Sequence, residues 1–139
     1  IDSGIDINGY KSDLTRMFFL GRMTRSFERN LSLIRSAQEE AFKVIRPGVK
    51  AKAVDAAARD FLKRHGLSGN FGHSLGHGVG LDIHEDPRIS QKSGAFLMEN
   101  MVITIEPGIY FPGKYGVRLE EMVLVTKTGC EVLSGNFDH

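Results

Sequence analysis

Four acidic residues stand where strand-forming sequence ordinarily excludes charge, and they constrain this chain more than any other feature. Ile1–Ile7 and Lys11–Leu20 read as the arms of a β-hairpin around Asn8-Gly9, a pair that accepts the positive φ angles of a tight turn. With a two-residue turn, Asp2 lies opposite Thr15 and Gly4 opposite Asp13. Asp2 and Asp13 then become diagonal neighbours on one face, about 7–8 Å apart at Cα. Folding Met101–Thr126 about Gly113 likewise sets Glu106 opposite Glu120, about 5 Å apart at Cβ. Glu106 follows Met-Val-Ile-Thr-Ile, and Glu120 follows Gly-Val-Arg-Leu. Unpaired buried charge is strongly unfavourable, so four carboxylates in two apolar hairpins call for compensation. Two divalent cations would balance them, and His77 adds a nitrogen donor. One histidine with four carboxylates is a hard, oxygen-rich set suited to paired Mn²⁺, Co²⁺, Fe²⁺ or Zn²⁺ ions. Taken singly, these acids have ordinary readings: a lone Asp in a hairpin is commonly a turn or edge residue, and Glu120 can pair with Arg118 or a lysine. As a set, with His73, His77 and His84, they point to a metal centre.

Between the hairpins the period changes. Phe27, Leu31, Ile34, Gln38, Ala41, Phe42 and Ile45 recur at helical spacing, and Pro47-Gly48 closes that segment. A second helix is predicted over roughly Ala51 to His65, with Val54, Ala57, Ala58, Phe61 and Leu62 on one face and Gly66 at its stop. Gly69, Gly72, Gly76, Gly78 and Gly80 then crowd a segment carrying His73 and His77. Those glycines suit close backbone approach or unusual φ, and their spacing does not fit a dinucleotide fingerprint. Met101–Tyr110 and Gly116–Thr126 are predicted strands, and Glu131–Leu133 forms a last short one. Hairpin, two helices, then strands is an α+β order, not alternating βαβ units.

The chain has 139 residues, enough for one domain with a core. Lysine and arginine number 18 against 17 acids, so no basic face favours nucleic acid. No apolar run is long enough to span a membrane. Cys130 is the single cysteine, which excludes an internal disulfide and is compatible with a reducing, cytoplasmic setting.

The motif residues resemble those of the pita-bread metallopeptidases, a family that includes prolidases, aminopeptidases P and methionine aminopeptidases. Asp2-Ser3-Gly4 with Asn8-Gly9-Tyr10-Lys11-Ser12-Asp13-Leu14-Thr15-Arg16 is similar to its first-metal motif. Gly72-His73-Ser74-Leu75-Gly76-His77-Gly78-Val79-Gly80 and Ile83-His84-Glu85-Asp86-Pro87 are similar to its histidine motif. Ile105-Glu106-Pro107-Gly108 and Arg118-Leu119-Glu120-Glu121 are similar to its glutamate motifs. The resemblance implies a pita-bread fold over 1–139, as the C-terminal half of a catalytic domain, with two helices on one face of a curved antiparallel sheet. It implies that Asp2 binds one metal terminally, that Asp13 and Glu120 bridge two metals, and that His77 and Glu106 hold the second. A water or hydroxide bridging the metals would be the nucleophile. Glu106 would be the general base or proton carrier, and His84 would hydrogen-bond the scissile carbonyl. Arg16 would pair with an acid near the site.

Three features resemble the proline-specific branch: His73 four residues before His77, Arg118 two before Glu120, and the short hairpin between Glu106 and Glu120. In that branch His73, His84 and Arg118 would face substrate. The expected activity is a two-metal exopeptidase, with Mn²⁺ first among the ions, that hydrolyses an Xaa-Pro bond in a di- or oligopeptide. The alternatives are a methionine aminopeptidase and a non-catalytic module that has lost its metals. The strand-like start at Ile1 suggests a piece of a longer protein. On that reading the chain alone would have weak or no peptidase activity, and an exposed half-core would favour self-association, most simply as a homodimer.

Overall fold

The structure, a computed structural model, describes residues 1–134. The first hairpin consists of two short ladders in one register. β1 (Asp2–Ser3) pairs with β4 (Leu14–Thr15), and β2 (Asp6–Ile7) pairs with β3 (Tyr10–Lys11). Asp2 lies opposite Thr15, as the two-residue turn requires, and Asn8 and Gly9 adopt φ of 55° and 90°. A Cβ on Gly4 would sit 2.0 Å from the Ser12 carbonyl oxygen, so the strands cross closely between the two ladders. The predicted arm to Leu20 is too long. The assigned strand reaches only Thr15, Arg16 exchanges backbone bonds with Ile1, and Leu20 is 98% exposed.

Helix α1 (Arg25–Val44) begins at Thr24, whose hydroxyl accepts the Phe27 N–H, and carries Glu28 in its first turn and Lys43 in its last. Helix α2 (Ala51–Arg64) ends with Lys63 and Arg64, followed by Gly66 at φ 75°. The buried face of α1 presents Phe27, Ile34, Ala37 and Ala41, and that of α2 presents Ala51, Val54, Ala58 and Leu62. Buried alanines leave the two helix backbones room to approach, while each fully buried Ile or Leu contributes roughly 1.5–3 kcal/mol.

The remaining strands are β5 (Gly76–Gly78), β6 (Glu85–Ile89), β7 (Val102–Ile105), β8 (Gly108–Phe111), β9 (Tyr115–Arg118), β10 (Glu121–Val125) and β11 (Cys130–Val132). Five of them form an antiparallel sheet in the order β11-β10-β7-β5-β6, and β8 and β9 form a separate ladder. Ile89, Ile103, Ile105, Val123 and Val125 complete the core beneath the helices, an α+β arrangement. Strands β5 and β6 were not predicted. Gly-His-Gly has no strand propensity, yet the sheet needs glycine there. A Cβ at Gly76 would lie 1.9 Å from the Thr104 oxygen, and one at Gly78 would lie 2.4 Å from the Asp86 oxygen. β6 contains Pro87, which an edge strand tolerates. The glycines therefore serve close approach; Gly76, Gly78 and Gly80 do not adopt positive φ.

The pairs Ile105↔Glu121 and Gly108↔Arg118 share one register across the break between the sheet and the second hairpin. Glu106 accordingly faces Glu120, and both sit in the break itself.

Candidate metal centre

Each expected donor is delivered by a different strand or strand end, and the five converge. Asp2 comes from β1, Asp13 precedes β4, His77 lies in β5, Glu106 follows β7 and Glu120 precedes β10. Three overlapping sets have ligand atoms within 4.8 Å of one another: Asp2, Asp13 and Glu120; His77, Glu106 and Glu120; and Asp13, His77 and His84. Asp13 and Glu120 are buried, His77 and Glu106 half-buried, and Asp2 exposed.

Burial is the main electrostatic fact of the site. It pushes the Glu106 and Glu120 carboxyls up to about 7. Asp13 is raised as well, first by burial and then by the charge of Asp2. Arg118 pulls the Glu106 value down, and the Thr15 hydroxyl does the same for Glu120.

The donor set fits divalent cations on one further observation. His77 Nδ1 lies 3.0 Å from the Gly78 carbonyl, to which it can only donate, so the Nε2 lone pair faces outward. That Nε2 lies 3.4 Å from Glu106 Oε1 and 3.6 Å from Asp13 Oδ2. Lone pairs facing lone pairs repel unless a proton or a cation stands between them, and oxygen and imidazole donors in this number suit Mn²⁺, Co²⁺, Fe²⁺ or Zn²⁺.

Neighbouring groups hold the donors in place. Thr15 donates to Glu120 Oε2 at 2.7 Å and accepts from Arg118 Nε at 3.2 Å, while Arg118 Nη2 pairs with Asp2. Arg118 therefore reaches Glu120 through a hydroxyl, not directly. Arg16, buried, donates to the Glu120 carbonyl at 2.7 Å and pairs with Glu121 at 2.8 Å, the acid pairing expected of it. Thr104 links the His77 N–H to Glu106 Oε1 at 3.1 and 3.3 Å.

The other histidines flank the cluster. The His84 ring is 4.3 Å from that of His77 and exposed. His73 Nδ1 is 2.8 Å from the Ser74 carbonyl, so its Nε2 accepts from the Tyr110 hydroxyl at 3.1 Å, and burial holds its pKa below the usual range.

Sequence reading missed three residues. Arg88, Ser74, His77 and His84 line an open cavity of about 530 Å³, and only proximity in space marks Arg88 as part of it. Asp55 and Arg59, on α2, form a bidentate pair at 2.8 Å, and Arg59 also donates to the Phe71 and His73 carbonyls at 2.9 Å. Asp55 accepts the Leu75 N–H at 3.3 Å, so this pair pins both flanks of His73. An acid on the buried face of α2 was the available signal.

Comparison with known proteins agrees with this geometry. The sequence profile of metallopeptidase family M24 matches residues 1–127. The chain is 46% identical over 134 residues to an Xaa-Pro dipeptidase of Pyrococcus furiosus, covering 96% of this chain and 38% of that protein. It is 47% identical over 122 residues to a probable dipeptidase PepE of Mycobacterium tuberculosis, covering 88% and 32%. Among solved structures, the prolidase of Pyrococcus furiosus superposes with a TM-score of 0.96 at 44% identity, covering 99% of this chain and 41% of that one. The X-Pro aminopeptidase of Thermotoga maritima gives 0.94 at 42% identity, covering 97% and 38%. The chain thus spans about two fifths, or less, of the length of these relatives. The matched profile, the fold and the converging donors have one reading: the chain belongs to metallopeptidase family M24 and has its pita-bread fold.

Proposed function

We propose that this chain is the metal-holding, C-terminal portion of the catalytic domain of an exopeptidase that hydrolyses the Xaa-Pro bond. The observation that carries this reading is the meeting of Asp2, Asp13, His77, Glu106 and Glu120 within overlapping groups of ligand distance. Similarity to proteins named prolidase and Xaa-Pro dipeptidase supports the substrate class. Asp2, Asp13 and Glu120 would hold one cation, and Asp13, Glu120, His77 and Glu106 the other. Bound there, a divalent pair lowers the pKa of a shared water and polarises the scissile carbonyl.

The protein groups have separable tasks. Glu106, beside the shared water's place between the donors, accepts and returns the proton. His84, exposed beside His77, donates to the developing oxyanion. His73, held neutral with Nε2 on Tyr110, lines the substrate side. Arg118 acts on substrate through the carboxylates it orients, since its guanidinium is engaged by Asp2 and Thr15. Arg88 shares its cavity with His77, His84, Glu85 and Asp86, where it can contact a short peptide's polar end. Mn²⁺ is the first ion to test. A homodimer is in keeping with the exposed apolar side chains Leu20 and Leu81, and a cytoplasmic setting with the single cysteine.

Assay of the full-length protein containing this chain, with Mn²⁺, on Xaa-Pro, Xaa-Pro-Yaa and Met-Ala-Yaa peptides tests the reading. Cleavage of the proline peptides is expected. Cleavage of Met-Ala-Yaa alone would transfer the protein to the methionine aminopeptidases, and a metal-free, inactive protein would make it a binding module.

A further inference from the structure

Gln38 stands out on the buried face of α1, among Ile34, Ala37 and Ala41, with only 5% of its surface exposed. A buried amide is costly unless its hydrogens are used. Its Nε2 donates to the Ile105 carbonyl at 2.8 Å, and a second, longer contact of 3.5 Å reaches the Leu119 carbonyl. Those two residues immediately precede Glu106 and Glu120.

The strand register explains why a donor is needed there. Pro107 lies opposite Leu119 in the register shared by the two ladders. Leu119 N–H donates to the Pro107 carbonyl at 3.4 Å, but proline has no N–H to return the bond to the Leu119 carbonyl. The helix supplies that donor from outside the sheet.

The same amide also bears on two peptide planes, closely on one and at longer range on the other. The peptide plane leading into Glu106 is held at its N–H by the Leu75 carbonyl (2.7 Å) and at its carbonyl by Gln38. The plane leading into Glu120 is held at its N–H by the Thr15 carbonyl (3.2 Å), and its carbonyl meets the same Gln38 amide at 3.5 Å. The orientation of a peptide plane sets the direction in which the next side chain leaves the backbone. One side chain on α1 therefore constrains the aim of both glutamates.

We propose that Gln38 is a positioning residue for the metal centre, aligning Glu106 and Glu120 by holding the peptide planes that precede them. This rests on reading those glutamates as metal ligands. The test is Mn²⁺ binding to the full-length protein containing this chain by isothermal titration calorimetry, with thermal melting as a check on folding. Gln38→Met keeps the side chain's length and apolar packing but removes both donors. Ile34→Val, one turn earlier on the same buried face, perturbs the core without touching either carbonyl.

Gln38→Met is expected to weaken Mn²⁺ binding about tenfold or more, the range typical of groups that orient ligands. Ile34→Val is expected to change it less than about twofold even where its melting temperature falls comparably. Unchanged affinity in a folded Gln38→Met chain, or equal loss in Ile34→Val, overturns the proposal while leaving the metal centre intact. No binding to the unsubstituted full-length protein overturns the centre itself, and the proposal with it. Should Gln38→Met not fold, the unsubstituted chain decides by NMR. Slow exchange of the Gln38 side-chain amide protons, slowed further by Zn²⁺, supports the role; exchange at the rate of a free amide refutes it.

Discussion

The Thr15 hydroxyl is a single atom on which two charged groups depend, since it accepts from Arg118 and donates to Glu120. Thr15→Val preserves the branched shape and removes that link. Divalent-metal affinity is expected to fall roughly tenfold, and stability by about 1–3 kcal/mol, as for a buried polar group left unpaired; calorimetry and urea unfolding would measure the two losses. Arg59 gives a sharper contrast, because its partner Asp55 is fully buried. Arg59→Met strands that carboxylate, and the expected cost is about 3–5 kcal/mol. A urea midpoint shift worth under about 1 kcal/mol would mean that Asp55 finds a proton or another donor, and that the clamp on the His73 loop matters little. Residues of this kind were half visible beforehand. Arg16 was expected to pair with an acid because of its place after Asp13. Asp55 and Arg59 stand four residues apart on α2, a spacing that allows the pair, but its burial and its grip on the Phe71 and His73 carbonyls are fixed only in space.

At the level of elements, the helices and the first turn follow from local chemistry, whereas the central strand β5 does not. Helix periodicity, the Thr24 cap and the Gly66 stop are properties of nearby residues, and the predicted helices match to within a residue or two. β5 exists because β6 and β7 pass so close that only glycine fits between them. Gly76→Ala places a methyl against the Thr104 oxygen. It is expected to destabilise the chain by more than about 3 kcal/mol and to displace His77, since overpacking against backbone cannot relax as a side-chain clash does. Gly69→Ala, with nothing within 4 Å of the new carbon, is expected to stay within about 0.5 kcal/mol of the parent. Comparable melting losses for the two substitutions would contradict this account of the sheet.

For the molecule as a whole, the metal centre is an electrostatic liability that becomes an asset when occupied. In the metal-free chain Glu106 and Glu120 titrate near 7, above the ordinary value of 4.5. Their folded-state values are raised, so the folded chain binds more protons than the unfolded one between those limits. The stability they contribute is present below about pH 4.5 and is lost as pH rises through about 7, at most about 3 kcal/mol per glutamate. The metal-free melting temperature should therefore fall between pH 5 and pH 8. Adding Mn²⁺ should remove or reverse that slope, by about 2.7 kcal/mol at one hundred times the dissociation constant. A melting temperature that rises with pH in EDTA would refute the burial of these acids.

The sequence by itself determined the helices, the Asn8-Gly9 turn and the register of both hairpins, because turn chemistry and a two-residue side-chain period act between near neighbours. That register was enough to pair Asp2 with Asp13 and Glu106 with Glu120. Only the tertiary structure brought the two pairs to His77, introduced Arg88 and the Asp55–Arg59 clamp, and set the amide of Gln38 against two carbonyls far away in the chain. Those contacts depend on how α1, α2 and the sheet pack, a matter of shape and close approach that no local pattern encodes.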